Sequence, residues 1–367
     1  MMWNIVTTHD CNKNCRYCRN QEAEPPFPRR IAYDIAALKR FIEKDPHAMI
    51  AFYGGEPLVG IEFVERIMDE IPAEKYVLQT NGTLLDRLNP DKYLSRLDCI
   101  LLSIDGPKKT TDYYRGEGTH DNVLANARLL RRKGFTGEIT ARMCVSEHSD
   151  VYEDVSYLLG VQDDDGKLLF NGVHWQNDLQ FGDREEWRDL DGWLASSYYP
   201  GLDRLITDWI DGIERDHAVR LIYPFNGLVK TMLTGIPAKL HCGCGHFYFN
   251  ICTDGKITAC PVSSDFYPLF EMGNIFDNVP ADLEKAMVPG DPCPACDVYA
   301  ICGGRCLYAN ILKPWGEDGF KKTCESIVYL INALKAVLPR IQALIDQGDL
   351  DASQLDYFQY NGCEIVP

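Results

Sequence analysis

The sequence predicts an α/β fold in which an incomplete βα barrel is followed by a small cysteine-rich unit. Three observations predict it. Six short apolar runs alternate with helical patterns through the first half of the chain, the alternation stops near residue 180, and cysteines crowd the last third. Six βα units in succession suggest a parallel sheet or an incomplete βα barrel, and the expected architecture is a partial (β/α)6 TIM-like barrel.

The expected strands are WNIVTT, AMIAFYGG, YVLQTNG, CILLSIDG, EITARMCV and LFNGVHWQ. Between them lie helix candidates. IAYDIAALKRFIEK repeats Ile31, Ile35, Leu38 and Ile42 at helical spacing, and further candidates begin at Ile61, Asp121 and Asp150. Residues 181–225 predict long helices whose Trp187, Trp193 and Trp209 serve core packing. Gly and Cys punctuation after residue 225 predicts entry into a second domain, closed by the helix SIVYLINALKAVLPRIQALIDQ. The expected divisions are 1–225, a barrel with a helical extension; 226–325, the cysteine-rich domain; and 326–367, a closing helix and tail.

The chain has 367 residues, enough for a large core, and 46% of them are hydrophobic. Lys and Arg total 37 against 54 Asp and Glu, a net charge of −17. That balance argues against a nucleic-acid partner and against an anionic membrane surface. No secretory signal and no contiguous apolar run of membrane-spanning length stand out, so a cytoplasmic location is expected. Thiols stay reduced there, and 15 cysteines then point to metal binding rather than a disulfide framework.

The stretch TTHDCNKNCRYCRN places Cys11, Cys15 and Cys18 just after the first strand, with no fourth thiolate nearby. Functional loops of a βα barrel sit at the C-terminal ends of its strands. Three thiolates there can hold three irons of a [4Fe–4S] cube and leave the fourth iron open. A zinc ion completed by His9 is the simpler alternative, although structural zinc takes four closed ligands. The x3 then x2 spacing, with Tyr17 before the last cysteine, resembles the radical S-adenosylmethionine (SAM) superfamily.

Other motifs follow in order. YGGEP ends the second strand, with Gly54 and Gly55 suited to close backbone approach and Glu56 able to accept a hydrogen bond. The resemblance makes this the motif that meets the SAM amino group. Strand alternation pairs Ser103 with Asp105, Gln79 with Asn81, and Thr140 with Arg142 and Cys144. Polar residues at these strand ends predict a lumen holding a polar ligand. By resemblance Ser103 contacts SAM, and Arg142 or Arg115 partners its carboxylate; pairing of these arginines with surface acids is the plainer alternative.

The second cysteine set reads Cys244-x10-Gly255-x4-Cys260, then Cys293-x2-Cys296-x5-Cys302-x3-Cys306, then Cys324. It resembles the SPASM domain that follows the barrel in many peptide-modifying radical SAM enzymes. The resemblance implies two auxiliary [4Fe–4S] clusters, a distal one on Cys293, Cys296, Cys302 and Cys324 and a nearer one on Cys244, Cys260 and Cys306. The crossing of Cys306 has a precedent in two-cluster ferredoxins. Cys242 is the preferred fourth ligand of the nearer cluster, with Cys252 or an open iron as rivals. Paired zinc ribbons are the plainer reading of the spacing. Cys99 and Cys144 are expected to be buried hydrophobes, and Cys363 an incidental thiol. His9 and His241 adjoin cysteine motifs without ligand-like spacing.

The resemblance implies an enzyme that cleaves SAM to a 5′-deoxyadenosyl radical and oxidises a peptide or small protein, with cross-linking as one outcome. Three [4Fe–4S] clusters and an electron donor such as flavodoxin or ferredoxin are implied with it. Many relatives carry an N-terminal leader-binding domain; here the first strand begins near Trp3, so leader binding is expected on another surface or a separate protein. Anaerobic sulfatase maturation is the runner-up. Its base is an Asp following a SPASM cysteine, whereas Pro261 follows Cys260, and Asp297 follows Cys296 in the other cluster's motif. A non-catalytic iron–sulfur carrier or sensor would have no use for YGGEP and a polar lumen.

Overall fold

The computed structural model describes residues 1–18, 26–178, 187–262, 268–284 and 287–358. Ten strands form one sheet: β1 Met2–Thr8, β2 Met49–Gly54, β3 Lys75–Thr80, β4 Cys99–Ser103, β5 Glu138–Val145, β6 Gly172–Asn177, β7 Leu221–Ile222, β8 Tyr248–Ile251, β9 Lys256–Thr258 and β10 Glu271–Asn274. Twelve α-helical segments connect or cover them. They are α1 Ile35–Ile42, α2 Ile61–Glu70, α3 Pro90–Tyr93, α4 Lys108–Arg115, α5 Thr119–Arg132, α6 Val151–Gly160, α7 Leu190–Trp193, α8 Tyr199–Asp216, α9 Tyr223–Thr234, α10 Tyr299–Cys302, α11 Leu307–Leu312 and α12 Gly316–Gln347.

The order across the sheet is β10-β9-β8-β1-β2-β3-β4-β5-β6-β7, and all pairings from β8 to β7 are parallel. The six predicted βα units are therefore present and consecutive. Each crossover helix starts where local chemistry lets it. Asp34 caps α1 by accepting from Ala36 N at 3.0 Å, and Asp150 caps α6 through Tyr152 N and Glu153 N.

The two faces of the sheet differ sharply. Trp3, Ile50, Ile100, Ile139 and Trp175 line the helix-covered face, with the Trp3 ring 4.9 Å from Phe41 of α1 and Trp175 5.7 Å from Phe225 of α9. Alternate residues point inward, and these include Asn4, Thr140, Arg142, Cys144 and His174, with Arg142 in register with Ser103 and His174. The polar lumen expected from the sequence is there. At its N-terminal end, Tyr223 and Thr140 hydroxyls donate to Glu138, and Tyr357 packs 5.6 Å from Tyr223.

The expected domain limits do not coincide with breaks in the structure. The 225/226 limit falls inside α9, which packs on β6 and β7, and the 325/326 limit falls inside α12. β8 lies parallel on β1, with Asn4 Nδ2 donating to Asn250 Oδ1 at 2.7 Å, so the cysteine-rich segment extends the barrel sheet. Its Gly and Cys punctuation masked three short strands. In the helical region, a π-helical turn at Leu194–Tyr198 runs directly into α8, and Trp187 and Trp193 pack edge to face at 5.1 Å.

Among the described residues, α12 is long and apolar enough to cross a bilayer by length and composition. Its apolar residues are spaced rather than contiguous, so no run stands out in the sequence. Ile327, Leu330, Ile331 and Leu334 are buried against α8 and α9, and Arg340 bonds Asp211 and Glu214 on α8. Phe225, fully buried between Trp175 and Trp209, is a sensitive point of this packing. Phe225→Ala is expected to cost about 3–5 kcal/mol and lower the thermal midpoint clearly. Leu269→Ala, at an exposed side chain, is expected to leave it unmoved.

Candidate functional site

The three-cysteine loop leaves β1 at its C-terminal end and is held from both sides. On the β2 side, Gly55 N donates to Thr8 O at 2.8 Å and Glu56 N to Asp10 O at 2.9 Å. A Cβ on Gly54 would lie 2.1 Å from Thr8 O, and one on Gly55 2.4 Å from Asp10 O. These glycines are needed for contact with the chain's own backbone just before Cys11, a different reason from the ligand approach expected of them. On the α4 side, Arg16 N and Nε donate to Tyr114 O and Tyr113 O at 2.9 and 2.7 Å.

Glu56 is fully buried. Its Oε1 accepts from Thr80 Oγ1 at 2.8 Å and Leu58 N at 3.0 Å, and its Oε2 from Asn81 N at 2.7 Å. Burial raises its pKa against the pull of those hydrogen bonds. Asn81 carries the link onward, donating to Asn12 Oδ1 at 2.8 Å and to Cys11 Sγ at 3.8 Å. Both residues lie beside the cysteine loop, and Glu56 acts there as a brace between β2, β3 and the turn after it.

Asp105, also fully buried, is the second brace. It accepts from Arg115 Nε and Nη2 at 2.7 and 2.8 Å, from Tyr17 OH at 2.8 Å and from Cys144 N at 2.9 Å. The bidentate pair engages Arg115 through Nε and Nη2, and its partner is a buried acid, not the surface acid weighed as the alternative. The sequence pairing of Ser103 with Asp105 hid this, because Asp105 lies beyond the end of β4. Ser103 and Arg142 are half-buried, in register on the inner face. Cys144 also corrects an expectation. It is half-buried rather than fully buried, on the polar face it shares with Thr140 and Arg142, where burial, then Asp178 and Asp105, push its thiol well up. Cys99 is buried as expected.

Burial first, then the neighbouring Glu56, Cys15 and Cys18, push the Cys11 thiol up to about 11 despite a hydrogen bond from Lys13 N. Burial likewise raises Cys15, with Arg115 opposing. Three thiols near enough to oppose one another's ionisation fit a cationic cluster that takes one thiolate per iron. Among the described residues, no three His, Cys, Asp or Glu side chains close on one point as ligands of a single metal ion would.

The later cysteines fall into two groups. Shared hydrogen bonding with Cys242 and Cys260, then burial, pushes Cys244 well above its ordinary value. Cys306 is pushed up to about 12 by burial, with Cys260 and Cys242 adding to it. Cys252 is fully buried, with Asn250 Nδ2 at 3.5 Å and Thr258 Oγ1 at 4.0 Å from its sulfur. In the other group, Cys302 is pushed up to about 12 by burial, Arg305 opposing and Cys324 and Cys293 adding. Burial also raises Cys324, whose neighbours include Cys293 and Cys296. Asn310 Nδ2 donates to Cys293 Sγ at 3.4 Å. Cys363 lies outside the described residues. Neither Asn310 nor Arg305 stands out in the sequence; the signal for the latter is a bulky cation inside the CGGRC turn.

Two substitutions test the braces. Asp105→Ala leaves the Arg115 guanidinium buried and unpaired, an expected loss of about 3–5 kcal/mol, measured as a fall in thermal midpoint. Gly55→Ala forces Asp10 O away from its place, and the expected result is a lower thermal midpoint than that of the wild-type chain.

Residues 5–151 match the family model described as the Radical SAM superfamily. A cysteine-type anaerobic sulfatase-maturating enzyme of Clostridium perfringens (strain 13 / Type A) is 27% identical over 352 residues, covering 86% of this chain and 91% of that protein. The solved structure of native anSMEcpe with bound AdoMet superposes with a TM-score of 0.71 at 21% identity, over 94% of this chain and all of that one. SuiB of Streptococcus suis, solved with its precursor peptide SuiA, superposes with a TM-score of 0.57 at 14% identity, over 85% of this chain and 72% of that one. With the cysteine loop, its braces and the partial barrel in place, residues 5–151 of this chain are a Radical SAM superfamily domain.

Proposed function

We propose that this enzyme oxidises a peptide or small protein by SAM-derived radical chemistry, with three [4Fe–4S] clusters in one chain. The observation that carries the reading is the grouping of the thiols into three sets of mutual neighbours, one at the end of β1 and two in the segment that holds β8 and the residues after it. Cys11, Cys15 and Cys18 form the first set. Cys242, Cys244, Cys260 and Cys306 form the second, with Cys242 favoured over Cys252 by its neighbours, and Cys293, Cys296, Cys302 and Cys324 form the third.

When bound, these groups supply one electron that cleaves SAM to methionine and a 5′-deoxyadenosyl radical, which takes a hydrogen atom from a peptide carbon, and an acceptor for the second electron as a proton leaves. The chain's own part is orientation. The Glu56 and Asp105 braces hold the cysteine loop against the strand ends, while Ser103 and Arg142 present polar groups to the lumen where SAM is to lie. A flavodoxin or ferredoxin in the cytoplasm is the fitting electron donor. The unusual cysteine content and the acidic surface favour a reducing compartment and a neutral or basic peptide.

A second reading is supported by the C. perfringens relative: conversion of a sulfatase cysteine to formylglycine. Pro261 after Cys260 leaves that reading without the expected base in the expected place. One experiment separates the two. Anaerobically reconstituted chain is given SAM, dithionite and a cysteine-type sulfatase peptide, and the peptide is probed for aldehyde with a hydrazide. An aldehyde establishes formylglycine formation; 5′-deoxyadenosine without aldehyde directs the search to other peptides. Cys15→Ala is expected to abolish 5′-deoxyadenosine formation, and near-wild-type output would defeat the proposal. Wild-type iron is expected near about 12 per chain, the content of three filled cubes.

A further inference from the structure

Arg305 is buried, with only 4% of its surface exposed, and its Nε and Nη1 have no hydrogen-bond partner. Among the described residues it forms no ion pair, unlike the buried Arg115 with its Asp105. A guanidinium taken out of water without a counter-charge is costly, and buried charges in folded proteins are paired. The backbone raises the cost further: Arg305 has φ 54°, in the left-handed region that favours glycine. Gly303 and Gly304 share that region, at φ 69° and 89°, so three successive residues reverse the chain between α10 and α11. Two of the three are glycine, while the third carries a long cation inward.

Its position gives the cation a purpose. Arg305 separates Cys302, at the end of α10, from Cys306, which precedes α11, so it follows a member of one cysteine group and precedes a member of the other. Its N–H donates to Cys302 O at 3.4 Å. Its charge reaches the thiols of Cys293, Cys302 and Cys324 on one side and of Cys306 on the other, lowering each against the burial that raises them. Asn310, by comparison, is already spent, bonded to Gly290 N, Gly290 O and Cys293 Sγ.

We propose that Arg305 is a shared redox-tuning residue, its unspent N–H groups and charge set between two iron–sulfur clusters so that both accept an electron more readily. This rests on the auxiliary-cluster reading above. A thiolate-ligated [4Fe–4S] cube is a net anion and gains a further negative charge on reduction. A fixed neighbouring cation therefore stabilises the reduced form more than the oxidised one. Net charge and hydrogen bonds to cluster sulfurs are established determinants of such potentials.

The test is a redox titration of the reconstituted full chain, following the reduced-cluster signals by electron paramagnetic resonance. The signal that changes on SAM addition serves as the internal reference. Arg305→Gly suits the left-handed backbone and removes the cation, and Arg305→Gln keeps donors without the charge. Both are expected to shift the auxiliary midpoints to more negative potential, Gly further than Gln, while the SAM-responsive signal holds. Unshifted auxiliary midpoints at full iron content in both variants overturn the proposal. Should Arg305→Gly assemble with less iron, Arg305→Gln against Arg305→Lys decides: a wild-type midpoint in the Gln variant overturns it, and a negative shift in Gln but not Lys supports it. Wild-type chain holding only about four irons would instead defeat the auxiliary-cluster reading itself.

Discussion

Buried thiols resist ionisation, and the cysteine loops of this chain are built around that resistance. Cys11, Cys15, Cys293, Cys302, Cys306 and Cys324 all have ionisation opposed chiefly by desolvation, and Cys244 by its neighbours and then by burial. Thiols arranged this way are poor anions on their own and become good ones only when a metal centre replaces the proton. The protein accordingly spends its strongest local interactions on holding them in place. Around Cys11 these are two glycines pressed on backbone, a buried carboxylate bonded to three donors, and a buried ion pair. Around Cys293 and Cys302 they are Asn310 and the Arg305 turn.

The two acidic braces do related work by different means. Glu56 joins consecutive strand ends using neutral donors, so its charge remains opposed by burial. Asp105 is neutralised by Arg115 and uses its remaining capacity on Tyr17 and the Cys144 backbone. Between them they connect the cysteine loop to β2, β3, β4 and β5. A ligand arriving in the lumen thus meets a loop whose position is already set, which lowers the ordering cost of binding.

Much of this was legible in the sequence because the relevant signals are local. Strand periodicity gave β1 to β6 and the polar inner face, since alternation survives in every run from Trp3 to Gln176. Cysteine spacing marked the three groups. What was not legible depends on contacts distant in sequence. Nothing in TDYYRGEG announces that Arg115 folds back on Asp105, and nothing in YGGEP distinguishes a glycine facing a ligand from one facing Thr8 O. β8 was hidden because YFNI is short and framed by Cys and Gly, and its pairing with β1 spans most of the chain.

That hidden pairing explains why the cysteine-rich segment need not behave as a separate module. β1 leads into the Cys11 loop, and β8 lies in register against it, with Met2 opposite Tyr248 and Ile5 opposite Ile251. Cys244 bridges to Tyr248, while β9 pairs back on β8 and leads to Cys260. The first thiol group and the nearer of the other two are therefore fixed to adjacent strands of one hydrogen-bonded sheet. A linker between two domains would let their separation vary, and electron transfer between redox centres is sensitive to that separation. Here Asn4 and Asn250 bond side chain to side chain across the junction, buried from water, and Thr253 Oγ1 donates to Pro28 O just beyond it. The sheet sets one distance between these two thiol groups before any cofactor binds.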